Sequence, residues 1–555
     1  MFQDFKRQAV EAVTKVLKEK GIEEGVPLEE PLEELGDLST PLCFELAPIL
    51  KKSPSLIAEE LAKEIKAEGL IREVKAKRGY INFYLDYEKM AVPLIKEIKR
   101  AGEDYGRGRG KGRVILEHTS ANPDGPLHIG HARNGIIGDT LARIMGFAGY
   151  DVETQYYLND MGKQLAVVVW GLRRFKLDKE KKKDHAIAEI YVRANEALEA
   201  NPEYQQEVSE IIRAYESGEG GIKKEFEEAA KYCIDGILET LGRIGITHDT
   251  IVWESTFLRD SSVEKTLKRI ARTRYAKKDE VLYLDLSDFG IKKELILTRK
   301  DGTSLYATRD IAYHLWKSGK GTVVDVLGAD HKLLSNQLAK TMEILGERPP
   351  ETVICEFITL PEGAMSTRRG VFISLDDLIN ESIERAYAEV EKRRPEARKE
   401  LKKRIAESVG TGAVRFNIAK ISPDKAMTFR WEEALDFERQ GSPFIQYAHA
   451  RACRILEKAG VVEEFEAPSL TENEKRLLKA LSKFPGVVEE AAEERRPHLM
   501  AGYALELADS FHKFYMFDPV LKSEVKDFRL NLVLATKIVL KKTLELLGIE
   551  PLEEM

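Results

Sequence analysis

A short apolar run, a polar loop and a long helical pattern, in that order, constrain this chain more than any other stretch. Val114-Ile115-Leu116 ends in Glu117 and leads through HTSANPDGPL into His128-Ile129-Gly130-His131. Beyond it, Ala132, Ile136, Ile137, Leu141, Ile144, Met145 and Ala148 recur with the 3.6-residue period of a helix that buries one face. Strand, loop and helix form the opening unit of an open α/β sheet, whose ligands sit at the carboxyl edges of the strands. A second strand is expected at 152–157, ending in LNDMGKQ. Another is expected at 322–327, ending in Gly328-Ala329-Asp330-His331. Residues from about 170 to 295 are charged and mostly helical in pattern, and read as an insertion that splits a parallel sheet.

The 555 residues suffice for three or four domains. The first, to about residue 105, is helical in pattern, with Ser53-Pro54 as N-cap and first helical residue, and closes on a strand-like alternation from Tyr80 to Leu85. GRGRGKGR (106–113) imitates a phosphate loop, but Tyr105 stands where the first glycine is needed and Gly112 where Ser or Thr is needed. It reads instead as a flexible basic linker. Residues 435–555 are helical throughout by pattern.

Cys43, Cys233, Cys355 and Cys453 are far apart in sequence and form no Cys-x-x-Cys, which argues against a disulfide framework and against zinc. The amphipathic first twenty residues lack the apolar core of a signal peptide, and the longest apolar run, Leu165 to Leu172, is too short for a bilayer. A cytoplasmic protein with no membrane partner is expected. The net charge of −7 disfavours one broad basic nucleic-acid face but leaves room for local patches.

Several residues are placed for chemistry. His128 and His131 lie three apart on a first helical turn, so they share a side. Helix N-terminal N–H groups and imidazole N–H donors suit a phosphoryl group. Gly130 would let a flat base approach the backbone. Read alone, the two histidines are as well explained as caps, and as metal ligands they lack a third partner nearby in sequence. Glu117 and Asn122 fall at the ligand edge of the sheet, where a carboxylate suits a cation. Tyr306 and Asp310, in LYATRDIAYH, share a helical face as a phenol–carboxylate pair, and a carboxylate is the matched acceptor for a guanidinium. Asp330-His331 ends the 322–327 strand at the same edge. Met365-Ser366-Thr367-Arg368-Arg369-Gly370 is a small basic loop that could cover a triphosphate.

Together these motifs resemble the class I arginyl-tRNA synthetases over essentially the whole chain. His-Ile-Gly-His is the first class I signature, and MSTRRG takes the place of the second, KMSKS. The arginyl branch is marked by Glu117, Ser120 and Asn122, by YATRD, and by PFIQYAHARACRIL (443–456), ALELADSFHKFY (504–515) and LELLGIEPLEEM (544–555). GDLSTPLCFELA (36–47) looks like the N-terminal domain that docks on the tRNA elbow.

The resemblance implies an α/β fold: a Rossmann-type parallel sheet with an insertion, flanked by an N-terminal α+β domain and a C-terminal all-α bundle. It implies an elbow-binding domain at 1–105, a catalytic domain at 106–380, a helical stem at 381–434 and an anticodon-binding domain at 435–555. It assigns Glu117, Ser120, Asn122, His131, Tyr306, Asp310 and His331 to arginine, and His128, Gly130, His131, Met365 and Ser366 to ATP. ATP would enter with Mg2+, the partners would be L-arginine and tRNA-Arg, and the enzyme would be a monomer that needs bound tRNA to activate the amino acid. Both signature lysines are absent: Ala364 and Thr367 occupy their positions, and no lysine precedes His128 in NPDGP. Arg368 and Arg369 therefore join His128 and His131 as the expected catalytic residues.

Overall fold

The computed structural model describes residues 1–31, 35–360, 373–460 and 463–555. Its centre is a five-stranded parallel sheet: β1 (Arg113–Glu117), β2 (Asp151–Leu158), β3 (Thr250–Trp253), β4 (Thr322–Gly328) and β5 (Glu351–Cys355). The spatial order is β5-β4-β1-β2-β3. The chain therefore builds outward from β1 on one side, then returns to build β4 and β5 on the other. The reversal falls between β1 and β4, where Glu117 pairs with Asp325, and it opens a crevice at the carboxyl ends of these two strands. Strand β1 is covered on both faces, which explains why Val114, Ile115 and Leu116 are all apolar and buried.

Helix Ile129–Phe147 connects β1 to β2. Its six periodic apolar positions, from Ala132 to Met145, and Ala148 at its C-cap are all buried. At Gly138 a Cβ would sit 2.3 Å from the Cβ of His118, so only glycine lets this helix lie so close to the residue that follows β1.

Two features differ from the sequence reading. Strand β3 lies within the 170–295 stretch read as an insertion, yet it pairs with β2 from Gln155↔Thr250 to Leu158↔Trp253. The stretch thus completes the sheet, and carries beyond it a small antiparallel sheet of Ala276–Lys278, Leu282–Leu284 and Leu295–Ile296. The glycine-rich 106–113 segment is docked rather than loose. Gly108 N–H donates to the Phe147 carbonyl at 3.0 Å, and Lys111 reaches Glu489 and Glu493. A Cβ at Gly108 would stand 2.0 Å from the Ala148 carbonyl oxygen, so the glycine is there for close packing.

Around the sheet, an N-terminal unit packs helices Phe2–Glu19, Leu42–Leu50 and Pro54–Glu64 on an antiparallel sheet of Leu38–Thr40, Tyr80–Leu85 and Ile71–Lys77. Ser53 caps Pro54–Glu64 as its sequence predicts. The antiparallel helices Leu375–Arg393 and Lys399–Ala419 lead to four long helices between Ser442 and Leu546. The C-terminal tail folds back on them, with His449 Nδ1 2.8 Å from the Leu552 carbonyl. Among the described residues no helix is long and apolar enough to cross a membrane.

Candidate active site

A cleft of about 730 Å3 opens at the β1/β4 reversal. At one end stands the first turn of helix Ile129–Phe147. His128 is its N-cap, and its Nδ1 accepts from the backbone N–H of Gly130 (3.0 Å) and of His131 (3.4 Å). His131 Nδ1 in turn accepts from the His128 N–H at 3.4 Å, and the two rings stack with centroids 3.7 Å apart. The histidines thus form a reciprocal capping box. Two N–H groups that the sequence suggested were free for a phosphate are occupied by His128 itself. Gly130 serves this arrangement, because a Cβ there would meet the His128 ring at 2.8 Å.

Capping does not compete with chemistry here. A ring nitrogen that accepts carries no proton, so each neutral imidazole must hold its hydrogen on Nε2. Burial lowers the pKa of both rings, and for His131, which also feels His128, it falls to about 3. Both are neutral N–H donors at physiological pH, with tautomers set by the backbone.

At the other end, Glu117, Ser120, Tyr306 and Asp310 line the cleft. Ser120 Oγ donates to Glu117 Oε1 at 3.0 Å and accepts from the Tyr157 N–H at 3.0 Å. Thr119 and Ser120 both have positive φ, 72° and 39°, an uncommon conformation that holds the loop tight against the end of β1. Tyr306 and Asp310 begin helix Tyr306–Ser318 and lie one turn apart, as the spacing predicts. Burial keeps the Tyr306 phenol neutral.

His331 lines the rim, with a side chain 45% exposed and 3.5 Å from Asp330. Asn122 stands aside from the cleft lining, its amide donating to Gln164 Oε1 at 2.7 Å. Met365, Ser366, Arg368 and Arg369, with Ala364, Thr367 and Gly370, lie outside the described residues. The residues that bracket that stretch, Leu360 and Ile373, both line the cleft. Its two roots are tied to the histidine turn: Ser374 bridges to His128 and Leu375 N–H donates to the Leu127 carbonyl at 2.7 Å, while Arg133 donates to the Phe357 carbonyl at 3.0 Å.

Sequence reasoning missed His314 and Asp325 on the cleft lining and Lys317 behind it. Lys317 Nζ donates to Glu117 Oε2 and to Asp325 Oδ1, each at 2.6 Å. His314 lies 2.9 Å from Asp325 Oδ2 and 3.1 Å from Asp310 Oδ1. Glu117, His314 and Asp325 are close enough to share a metal ion, but the Lys317 ammonium already supplies the cation. A signal was available in Asp325, a carboxylate in the middle of an otherwise apolar strand.

Comparison with known proteins accounts for the whole chain. Residues 3–85 match the arginyl tRNA synthetase N terminal domain, residues 95–431 the catalytic domain described as tRNA synthetases class I (R), and residues 445–555 the DALR anticodon binding domain. The chain is 52% identical to an arginine–tRNA ligase of Methanocaldococcus jannaschii, covering 98% of this chain and 99% of that one. It is 48% identical to the corresponding ligase of Methanothermobacter thermautotrophicus over the full length of both. Its structure superposes on Thermus thermophilus arginyl-tRNA synthetase with a TM-score of 0.84 at 30% identity, covering 99% of this chain and 100% of that one. A catalytic-domain match over more than half of its length, with relatives of this identity from end to end, means that the chain belongs to the class I arginyl-tRNA synthetases.

Proposed function

We propose that the cleft activates L-arginine with Mg-ATP and that the enzyme passes the arginyl group to the 3′ terminal adenosine of tRNA-Arg. The observation that carries this reading is the meeting, in one cleft, of two neutral imidazole donors and a carboxylate-lined recess. In this scheme the guanidinium enters between Glu117 and Asp310 and lies against Tyr306. The amino acid's own polar end then points toward His131, with Ser120, Asn122 and His331 around it. Asn122 would exchange its bond to Gln164 for the substrate.

One arginine carboxylate oxygen attacks the α-phosphorus, a P–O bond to the β-phosphate breaks, and pyrophosphate leaves. His128 and His131 donate from Nε2 to phosphoryl oxygens as charge builds, and Gly130 leaves room for the base. Met365 and Ser366 contact ATP, while Arg368 and Arg369 neutralise the departing pyrophosphate. The adenosine hydroxyl then attacks the arginyl carbonyl and AMP leaves. Neither step uses an enzyme nucleophile, so alignment and charge stabilisation supply the rate. The C-terminal bundle holds the anticodon and the N-terminal unit the elbow, and the enzyme works as a cytoplasmic monomer.

The test is amino-acid activation with each of the twenty amino acids, with and without tRNA-Arg, followed by charging. Arginine alone should support exchange, and only with tRNA present. Activation of another amino acid at a comparable rate would sink the reading.

A further inference from the structure

Lys317 is the most deeply buried ammonium around the cleft, with no exposed side-chain surface, and nothing in the reaction above uses it. Its Nζ is enclosed by two carboxylates and an aromatic ring. Two of its donors meet Glu117 and Asp325 at 2.6 Å, and the third side of the ammonium lies 4.2 Å from the Tyr313 ring centroid. Glu117 is the last residue of β1 and Asp325 is its registered neighbour on β4, so the sheet itself forces two buried carboxylates together. Without a cation between them, two such groups do not both stay ionised: one takes up a proton.

The second cation is His314. Burial and the nearby Lys317 lower its pKa, but Asp310 and Asp325 outweigh them and hold it at about 10. Three carboxylates (Glu117, Asp310 and Asp325) thus share two fixed positive charges. Arg309 adds no further net charge, being paired with Glu254. One negative charge is left over at the recess, matched to a single side-chain cation.

We propose that Lys317 is a positioning residue that determines specificity: it keeps Glu117 ionised and aimed beside Asp325, so that the recess meets a guanidinium with a carboxylate rather than with a carboxylic acid. This rests on the reading that Glu117 and Asp310 face the guanidinium. Lys317 makes no contact with substrate. It acts through Glu117, whose second oxygen is fixed by Ser120. Replacing Lys317 with an uncharged chain of similar length leaves one proton shared by Glu117 and Asp325. A protonated Glu117 is a poor partner for a guanidinium and a good one for a neutral urea.

The experiment compares Lys317→Met, Lys317→Met/Asp325→Asn and Asp310→Asn in pyrophosphate exchange with tRNA-Arg present. It reads KM for arginine, KM for ATP and inhibition by citrulline, the neutral isostere. Lys317→Met should raise the arginine KM by about tenfold or more, leave the ATP KM within about twofold, and narrow the arginine-to-citrulline discrimination. The double variant removes the second acid along with the lysine, so Glu117 ionises again and the arginine KM should return to within about threefold of the parent. A merely structural lysine would show no such recovery.

The proposal is overturned if folded Lys317→Met keeps the parental arginine KM and discrimination. It is also overturned if both KM values rise together and the double variant fails to recover. Should Lys317→Met not fold, the double variant decides alone, since the proposal requires it to bind arginine nearly normally. If Asp310→Asn leaves the arginine KM unmoved, the pocket assignment itself is wrong, a result separable from the fate of Lys317.

Discussion

Arg415→Met should be among the most damaging single changes in this protein, although Arg415 lies outside the cleft. The residue is 1% exposed, on helix Lys399–Ala419. Its guanidinium donates to Asp139 on the helix that begins at the His128/His131 turn, to the Ile244 carbonyl at 2.7 Å, and to the Leu547 carbonyl at 2.9 Å. One side chain therefore joins helix Ile129–Phe147, the helix leading to β3, helix Lys399–Ala419 and the last turn of the C-terminal bundle. Removing one partner of a buried ion pair costs about 3–5 kcal/mol, and each buried carbonyl left without a donor roughly 1–3 kcal/mol. Arg143 still donates to Asp139 at 2.7 Å and limits the first cost, so about 4–6 kcal/mol is expected for Arg415→Met. Asp139→Asn keeps an acceptor and should cost roughly half as much. A double-mutant cycle on the pair should give a coupling of about 2–3 kcal/mol. The charge effect also fixes a pH sign. Burial would raise the Asp139 pKa, but Arg415 and Arg143 overcome it and hold it below the usual carboxylate range. Its stabilising contribution is thus complete above the unfolded pKa and lost as pH falls through the lower folded value. Calorimetry, with each transition followed separately, measures both effects. A loss below about 1 kcal/mol in Arg415→Met, or a coupling near zero, would refute the reasoning.

Three further outcomes are expected. Asp310→Ala should lower kcat/KM for arginine by at least about a hundredfold, since in the proposed scheme it removes a buried charged partner of the guanidinium, with a much smaller effect on ATP; steady-state exchange kinetics check this. His131 is neutral in the folded state with a pKa of about 3, and near 6.5 when unfolded, so the unfolded chain binds the proton first. Its contribution is whole above about pH 6.5 and fades as pH falls toward 3, so melting temperatures of His131→Asn should depend less on pH across that window. Replacing Arg368 and Arg369 together with Ala should cut pyrophosphate exchange while sparing arginine affinity; unchanged exchange would show that other groups hold the triphosphate.

What could be read from the sequence, and what could not, divides along one physical line. The β1–loop–helix unit was readable because its signal is local: a strand buried on both faces must be continuously apolar, and its partner helix must show one apolar stripe. All seven predicted helix positions are buried for that reason. The Tyr306/Asp310 pair was readable because one turn of helix sets the distance. β3 escaped because its four residues, TIVW, carry no periodicity of their own and become a strand only by pairing with β2. The capping role of His128 and His131 was visible as a possibility, but local sequence alone could not show that capping fixes the tautomer and so prepares the donor. Lys317 lies furthest from view. A lysine on a helix with charged neighbours is ordinarily a solvated side chain, and only the β1/β4 register, which sets Glu117 beside Asp325, makes a buried ammonium necessary there. Cleft-lining residues such as Glu117, His131, Tyr306 and Asp310 follow from motif and spacing, whereas Lys317, which pairs with Glu117 and Asp325, depends on long-range pairing, and only the three-dimensional structure displays it.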